Sequence, residues 1–324
     1  MIEVTWGHAS EDRFTGALLG CMCGDALGMP LEGMPAQEIR DRFGRVDRML
    51  EGRLPRGSYT DDTEMMIGVA ESLLERGGFD GGHMAARFLR NLQGERGYGQ
   101  GTMMALEEVR QGVPWQDAGA RAFPGGSWGN GAAMRVAPLA LVYVAGDLQR
   151  FAGLSSLITH THPLGLEGAI LQAEAVSLAL ATGSVVAPRF LRALKGWART
   201  PEYLRALEDV EALLVQDPTV EEVVAVLGSG STALRSVPTA IYCFLREPRS
   251  FKDAVTYGVN LGGDTDTVGA MTGAIAGAFH GACAIPPGWY EALEGGAKGK
   301  AYVEDLARGL WNLAREKNPG GCGL

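Results

Sequence analysis

The sequence predicts a large all-α domain. At least eight segments place apolar residues at the 3.6-residue helical period, and no run of alternating β-branched residues stands between turn pairs. Two of those segments carry glycine at every fourth position, 16, 20, 24 and 28 in one and 269, 273 and 277 in the other. Each set stays on one helical face. Glycine inside a helix costs about 1 kcal/mol relative to alanine, so the stripes imply close approach of another backbone. The two striped helices are expected to pack against each other at the buried centre.

Composition sets the outer bounds. The 324 residues are 46% hydrophobic and 21% charged, ample for a real core, and length alone permits one large domain or two ordinary ones. One domain is expected over residues 1–317, with a flexible tail at 318–324. Net charge is −9, from 29 Lys and Arg against 38 Asp and Glu. That argues against stable nucleic-acid binding, which needs a basic surface, but not against a local basic pocket for a phosphorylated ligand. The five cysteines (21, 23, 243, 283, 322) lack framework spacing and read as reduced thiols in a cytosol. Cys21-x-Cys23 reads as two buried small residues rather than half a zinc site. Residues 1–13 are polar and acidic, unlike a secretory signal. The apolar run 14–31 is long enough for a membrane but carries Asp25 and four glycines. A cytoplasmic protein that neither spans nor binds a membrane is expected.

The helices follow in order. The first covers 14–28 and ends at Met29-Pro30, which leaves Glu32 on a loop beside Gly33. A second, over 63–75, is preceded by Thr60-Asp61-Asp62; one cap needs one acceptor, so two adjacent carboxylates exceed what capping requires. Helices over 82–92 and 102–111 flank Gly97-Tyr98-Gly99-Gln100-Gly101, either a plain loop or a backbone cradle for phosphate at a helix N-terminus. No Walker lysine follows it, and no strand precedes it. The glycine-dense loop 123–131, with Ser127, Trp128 and Asn130, opens a helix over 132–143. Residues 154–160 look helical and end in Thr159-His160-Thr161-His162. Two histidines two apart share no helix face, so a zinc pair is unsupported; one ring lining a pocket and a loop histidine of no consequence are equal readings. A helix over 165–181 precedes a charged stretch, 182–218, of poor periodicity and peripheral character. Residues 221–227 precede a Gly/Ser stretch at 228–232, residues 238–244 are again apolar, and then Asn260-Leu261-Gly262-Gly263-Asp264-Thr265-Asp266-Thr267 opens the second striped helix.

The two Asp/Thr clusters point to one oxygen-lined site. Four or five carboxylates in one pocket repel one another, and divalent cations remove that difficulty. Carboxylate and hydroxyl oxygens suit Mg²⁺, Mn²⁺ or Ca²⁺, and the absence of Cys and His from both clusters disfavours zinc. Two ions about 4 Å apart grip a vicinal diol and activate a water. The isoprenoid-synthase arrangement, with aspartates at DDxxD spacing on facing helices, matches Asp61-Asp62-Thr63-Glu64 poorly.

Six stretches resemble the ADP-ribosylglycohydrolases in order: GALLGCMCGDALGMPLEG (16–33), YTDDTEM (59–65), RGYGQGT (96–102), GSWGNGAAMRVAPLAL (126–141), THTHPLGLEGAI (159–170) and NLGGDTDTVGAMTGAIAGAFHG (260–281). The resemblance implies an orthogonal all-α bundle with a binuclear Mg²⁺ or Mn²⁺ site at helix N-termini near the centre. By motif position it implies Thr60, Asp61, Asp62, Asp264, Asp266 and Thr267 as metal ligands. Glu32, with Asp61 and Asp62, would act in catalysis, Glu32 first as general acid or base. Gly97, Gly99, Gln100, Gly101, Ser127, Trp128 and Asn130 would cradle diphosphate and ribose. His162 lies close to the family's pocket histidine, with His160 the alternative. The implied function is metal-dependent removal of ADP-ribose from a modified protein side chain (arginine or serine) by water attack at the distal ribose. A hydrolase of O-acetyl-ADP-ribose or another small conjugate, or a non-catalytic ADP-ribose binder, are the alternatives. A monomer acting on an ADP-ribosylated protein or small conjugate is expected.

Overall fold

A computed structural model describes residues 7–318. Of the tail expected from 318 onward, only Asn318 lies within the described residues. These form eighteen α-helices and no strand, with two isolated β-bridges. Six helices position the site: α1 (Glu11–Gly28), α2 (Asp61–Arg76), α3 (Gln100–Arg110), α4 (Pro163–Ala181), α5 (Ala233–Arg246) and α6 (Thr265–His280).

The two striped helices are α1 and α6, and they meet along the whole of their length. Gly16 faces Gly277, Gly20 faces Gly273 and Gly24 faces Gly269, each so close that an added Cβ would overlap the partner's carbonyl. Gly28 stands against the backbone of Thr265, the first residue of α6. Around this seam, α4, α5 and the helix Phe251–Val259 pack on α6, while Lys300–Lys317 lies against α1 and α2. α1 with its 3₁₀ extension (Glu11–Leu31) and α4 are both apolar and long enough to cross a membrane. However, 89% and 78% of their apolar windows are buried inside the bundle. Cys21, Cys23 and Cys243 are free, buried thiols, as small core residues would be, and Cys283 is exposed.

The all-α class holds, with three local differences. The helix expected over 132–143 splits into Gly131–Met134 and Ala137–Val142, because Pro138 has no N–H to continue the ladder and starts a new helix instead. The helix expected over 154–160 runs earlier, Ala145–Ser156, and the chain then turns so that Thr159 and His160 lie outside it. The charged stretch 182–218 forms two ordered helices, Ala187–Trp197 and Pro201–Gln216, each with proline at its start. Phe190, Leu191 and Leu194 on one, and Tyr203, Leu207, Val210 and Leu213 on the other, are buried; charges on the opposite faces hide this spacing in a simple reading. Glu167 of α4 ties the pair down by accepting from the amides of Arg199 (2.6 Å) and Thr200 (3.1 Å).

Candidate active site

Both acidic clusters begin helices. Thr60 caps α2, its Oγ1 accepting from the Asp62 amide (3.3 Å), so Asp61 and Asp62 occupy the first turn. Asp264 precedes α6 and Asp266 with Thr267 lie in its first turn. The turn into α6 needs two consecutive positive φ angles, 75° at Gly262 and 77° at Gly263, which only glycine adopts without strain. Backbone bonds from Gly33 N to Gly263 O and from Gly263 N to Met34 O, both 2.8 Å, tie this turn to the Glu32 loop.

Asp25, which lies in α1 among apolar residues, joins the clusters. Its carboxylate accepts from the amides of Thr60 (3.0 Å) and Thr63 (3.1 Å) and from Thr63 Oγ1 (2.6 Å). It thereby fixes the start of α2 to the seam helix. Burial raises its pKa to about 6 despite those bonds.

The four cluster carboxylates share one buried space. Asp62 Oδ2 accepts from Thr60 Oγ1 (3.2 Å) and Thr267 Oγ1 (3.4 Å), while its Oδ1 is buried with no partner among the described residues. Asn130 Nδ2 donates to Asp264 Oδ2 (2.6 Å). Oxygens of Glu32, Asp264 and Asp266 lie within 4.8 Å of one another. Burial, then neighbouring negative charge, pushes Asp61 up to about 8 and Asp62 and Asp266 well above the carboxylate range; burial likewise raises Asp264. An orphaned buried carboxylate oxygen among hydroxyls and further carboxylates is the donor set a hard divalent cation needs. The residues fit a metal site.

The raised values have a sign. Without cations the folded chain holds protons that the unfolded chain has already released, so stability falls as pH climbs from about 4 to about 8. A chelated sample is expected to melt at steadily lower temperature between about pH 5 and about pH 8, and Mg²⁺ or Mn²⁺ to restore more at the upper end. A melting temperature flat in chelator across that range would contradict the shared burial.

The acidic floor opens to a cavity of about 230 Å³. One wall is Gly97, Gly99, Gly101 and Thr102 at the start of α3; another is Ser127, Gly129, Asn130 and Gly131. Glu64 anchors the first wall, accepting from Tyr98 Oη (2.6 Å) and Gln93 N (3.0 Å). The second is pinned by the loop before α5, where Asn130 N donates to Ser231 O (3.0 Å) and Ala233 N to Trp128 O (2.9 Å).

Glu32, Asp61, Asp62, Asp264, Asp266, Thr267, Gly97, Gly99, Gly101, Ser127 and Asn130 all face this one cavity. Thr60 is buried beneath it, its hydroxyl engaged with Asp62. Gln100, Trp128 and His162 are not on its wall. Gln100 is exposed as the first residue of α3, and Trp128 is 54% exposed with its ring 5.4 Å from that of His162. His162 caps α4, Nδ1 accepting from the Leu164 amide (3.1 Å), and it is His160 that lines the cavity.

Sequence reasoning missed Asp25, Ser231 and Arg53. Arg53 Nη2 donates to Glu32 Oε2 (3.1 Å) and lies 3.8 Å from Asp266 Oδ2, while Nη1 donates to Arg96 O (3.0 Å). Its guanidinium rests against Gly97, where a Cβ would collide with it. Nothing in the local sequence 51–56 signals this.

A helical bundle with paired acidic helix starts beneath a glycine-walled cavity defines a class. The family model described as ADP-ribosylglycohydrolase matches residues 7–320, and the chain belongs to that family of hydrolases. It is 37% identical over 341 residues to the bovine protein named ADP-ribosylhydrolase ARH3, covering 92% of this chain and 93% of that one. The human protein of the same name is 36% identical, with 92% and 94% covered. An uncharacterized protein of Archaeoglobus fulgidus is 35% identical, with 94% and 97% covered. A solved structure titled "ADP-ribosylglycohydrolase-related protein complex" superposes with a TM-score of 0.75 at 34% identity, covering 94% of this chain and 98% of that chain.

Proposed function

We propose that the protein removes ADP-ribose from a modified protein side chain, linked through arginine or serine, with two Mg²⁺ or Mn²⁺ ions. The observation that carries this reading is the buried acidic floor with its orphaned Asp62 Oδ1, open to a cavity of glycine-rich walls. Thr60, Asp61, Asp62, Asp264, Asp266 and Thr267 would hold the cations, which when bound would supply Lewis acidity toward ribose hydroxyls and a water. Gly99, Gly101 and Thr102 at the start of α3 line the space where a diphosphate would lie, and a helix start has amides without intrahelical partners. Asn130 steadies Asp264 and thereby one side of the floor. The carboxylates stabilise positive charge that develops at the anomeric carbon as the leaving group departs.

Glu32 is the group for proton transfer. One oxygen is held by Arg53, and the side chain is 42% exposed, whereas Asp61, Asp62 and Asp266 are buried in the cavity floor. Glu32→Gln is expected to lower turnover by about 10²–10⁴-fold while leaving cation-induced thermal stabilisation in place. Loss of both together would reassign Glu32 to cation binding. A cytoplasmic monomer is the setting that fits free thiols and a bundle whose apolar helices are turned inward.

The decisive experiment measures ADP-ribose release from arginine-, serine- and acetyl-linked substrates with Mg²⁺, Mn²⁺ or chelator. Release from none of them with either ion would end the proposal. Preference for the acetyl ester would shift it to a small-conjugate hydrolase.

A further inference from the structure

Arg135 stands at the break between Gly131–Met134 and Ala137–Val142, fully buried. Every atom it donates to is neutral: Ser155 O (3.0 Å), Thr159 Oγ1 (2.9 Å) and, weakly, Met65 Sδ (3.7 Å). Its guanidinium lies over the Phe88 ring, 4.7 Å from the centroid, and its Nε has no partner among the described residues. Burial pulls its pKa down to about 9. A cation buried without a carboxylate partner is strongly disfavoured, and an aliphatic side chain of similar volume fills such space at lower cost. Stability therefore does not account for it.

The hydrogen bonds beyond Arg135 show what it does. A guanidinium only donates, so Thr159 Oγ1 accepts from it and has a single proton left to give. The other hydrogen bond of that hydroxyl is to His160 Nδ1, at 2.7 Å. If Nδ1 carried the proton instead, the Thr159 hydroxyl would be buried without an acceptor, a penalty of about 1–3 kcal/mol. Nδ1 therefore accepts, and the ring proton sits on Nε2. Burial and then the Arg135 charge keep the ring neutral, its pKa pulled down to about 3. Nε2 makes no hydrogen bond among the described residues. Its edge of the ring lies against Gly129 and Gly131, where a Cβ would crowd it, on the cavity wall.

We infer that Arg135 and Thr159 are positioning residues that hold His160 as a fixed Nε2–H donor, so the wall selects a ligand oxygen that accepts. The identity of that ligand rests on the ADP-ribose reading; the tautomer does not. The test uses the full chain with ¹⁵N-labelled histidine, the His160 signal assigned with His160→Gln, and ADP-ribose as the binding probe. The wild-type ring is expected in the Nε2–H form at neutral pH. Thr159→Val is expected to mix the tautomers and weaken ADP-ribose binding about 10-fold, whereas Thr159→Ser retains both. A residue that only packs the core would shift stability and leave the tautomer alone. A wild-type ring protonated on Nδ1, or Thr159→Val unchanged in tautomer and affinity, overturns the inference. If Thr159→Val does not fold, the wild-type and Thr159→Ser spectra decide. Failure of the wild type to bind ADP-ribose would remove the ligand reading and leave the tautomer to be judged on its spectrum.

Discussion

Replacing Asp61 and Asp62 together by asparagine is expected to abolish turnover, by at least about 10³-fold, the scale seen when one preorganised group at a reacting centre is lost. The same variant is expected to lose cation-induced stabilisation, which amounts to about 2.7 kcal/mol at a hundred times the dissociation constant. The fold itself should persist, because asparagine keeps the shape and stays neutral in the buried space at any pH. Without cations, the variant should melt no lower than the wild type, since the wild-type carboxylates are held far above their usual ionisation range. Turnover near the wild-type rate, or stabilisation by Mg²⁺ or Mn²⁺ unchanged, would show that these residues are not the cation site.

Gly273→Val is expected to have the largest effect on stability, a loss of about 3 kcal/mol or more. A Cβ there meets the carbonyl of Gly20, a backbone group that cannot swing aside. Gly16, Gly24 and Gly28 hold the rest of the seam at the same spacing, so relief requires α1 and α6 to separate along their length. Gly196→Ala is the control. That glycine is helical with nothing near its Cβ position, and alanine there should stabilise by about 0.5–1 kcal/mol. Urea midpoints of the two variants measure both. Equal midpoints would mean that the seam is not a tight backbone contact.

How much of this was legible in the sequence depended on range. The seam was readable because a four-residue interval of glycine is a local pattern with one physical explanation. The acidic helix starts were readable for the same reason: capping accounts for one acceptor, and each cluster holds more. Asp25 was not, since an aspartate in an apolar helix gives no sign that its partners are Thr60 and Thr63, on another helix. Arg53 and Arg135 act across comparable gaps through geometry that no short window contains. The two histidines differ for a local reason that periodicity alone missed. Pro163 starts α4, which makes His162 its cap and leaves His160 to face inward. In 187–216 the helices were hidden by their own charged faces, and only the buried stripe of one residue in three or four reveals them.

The contact between α1 and α6 also determines how the site tolerates change elsewhere. One pair of acidic residues begins α6, and the other is tied to α1 through Asp25, so both are referenced to a junction made of main chain. Main-chain atoms are the same in every sequence. Side chains in the outer helices, and even in much of the core, can drift in size without altering the separation of the two acidic pairs. The spacing of the reacting centre is thereby insulated from the packing that surrounds it, and the chain is free to vary its surface while the chemistry at its centre stays in register.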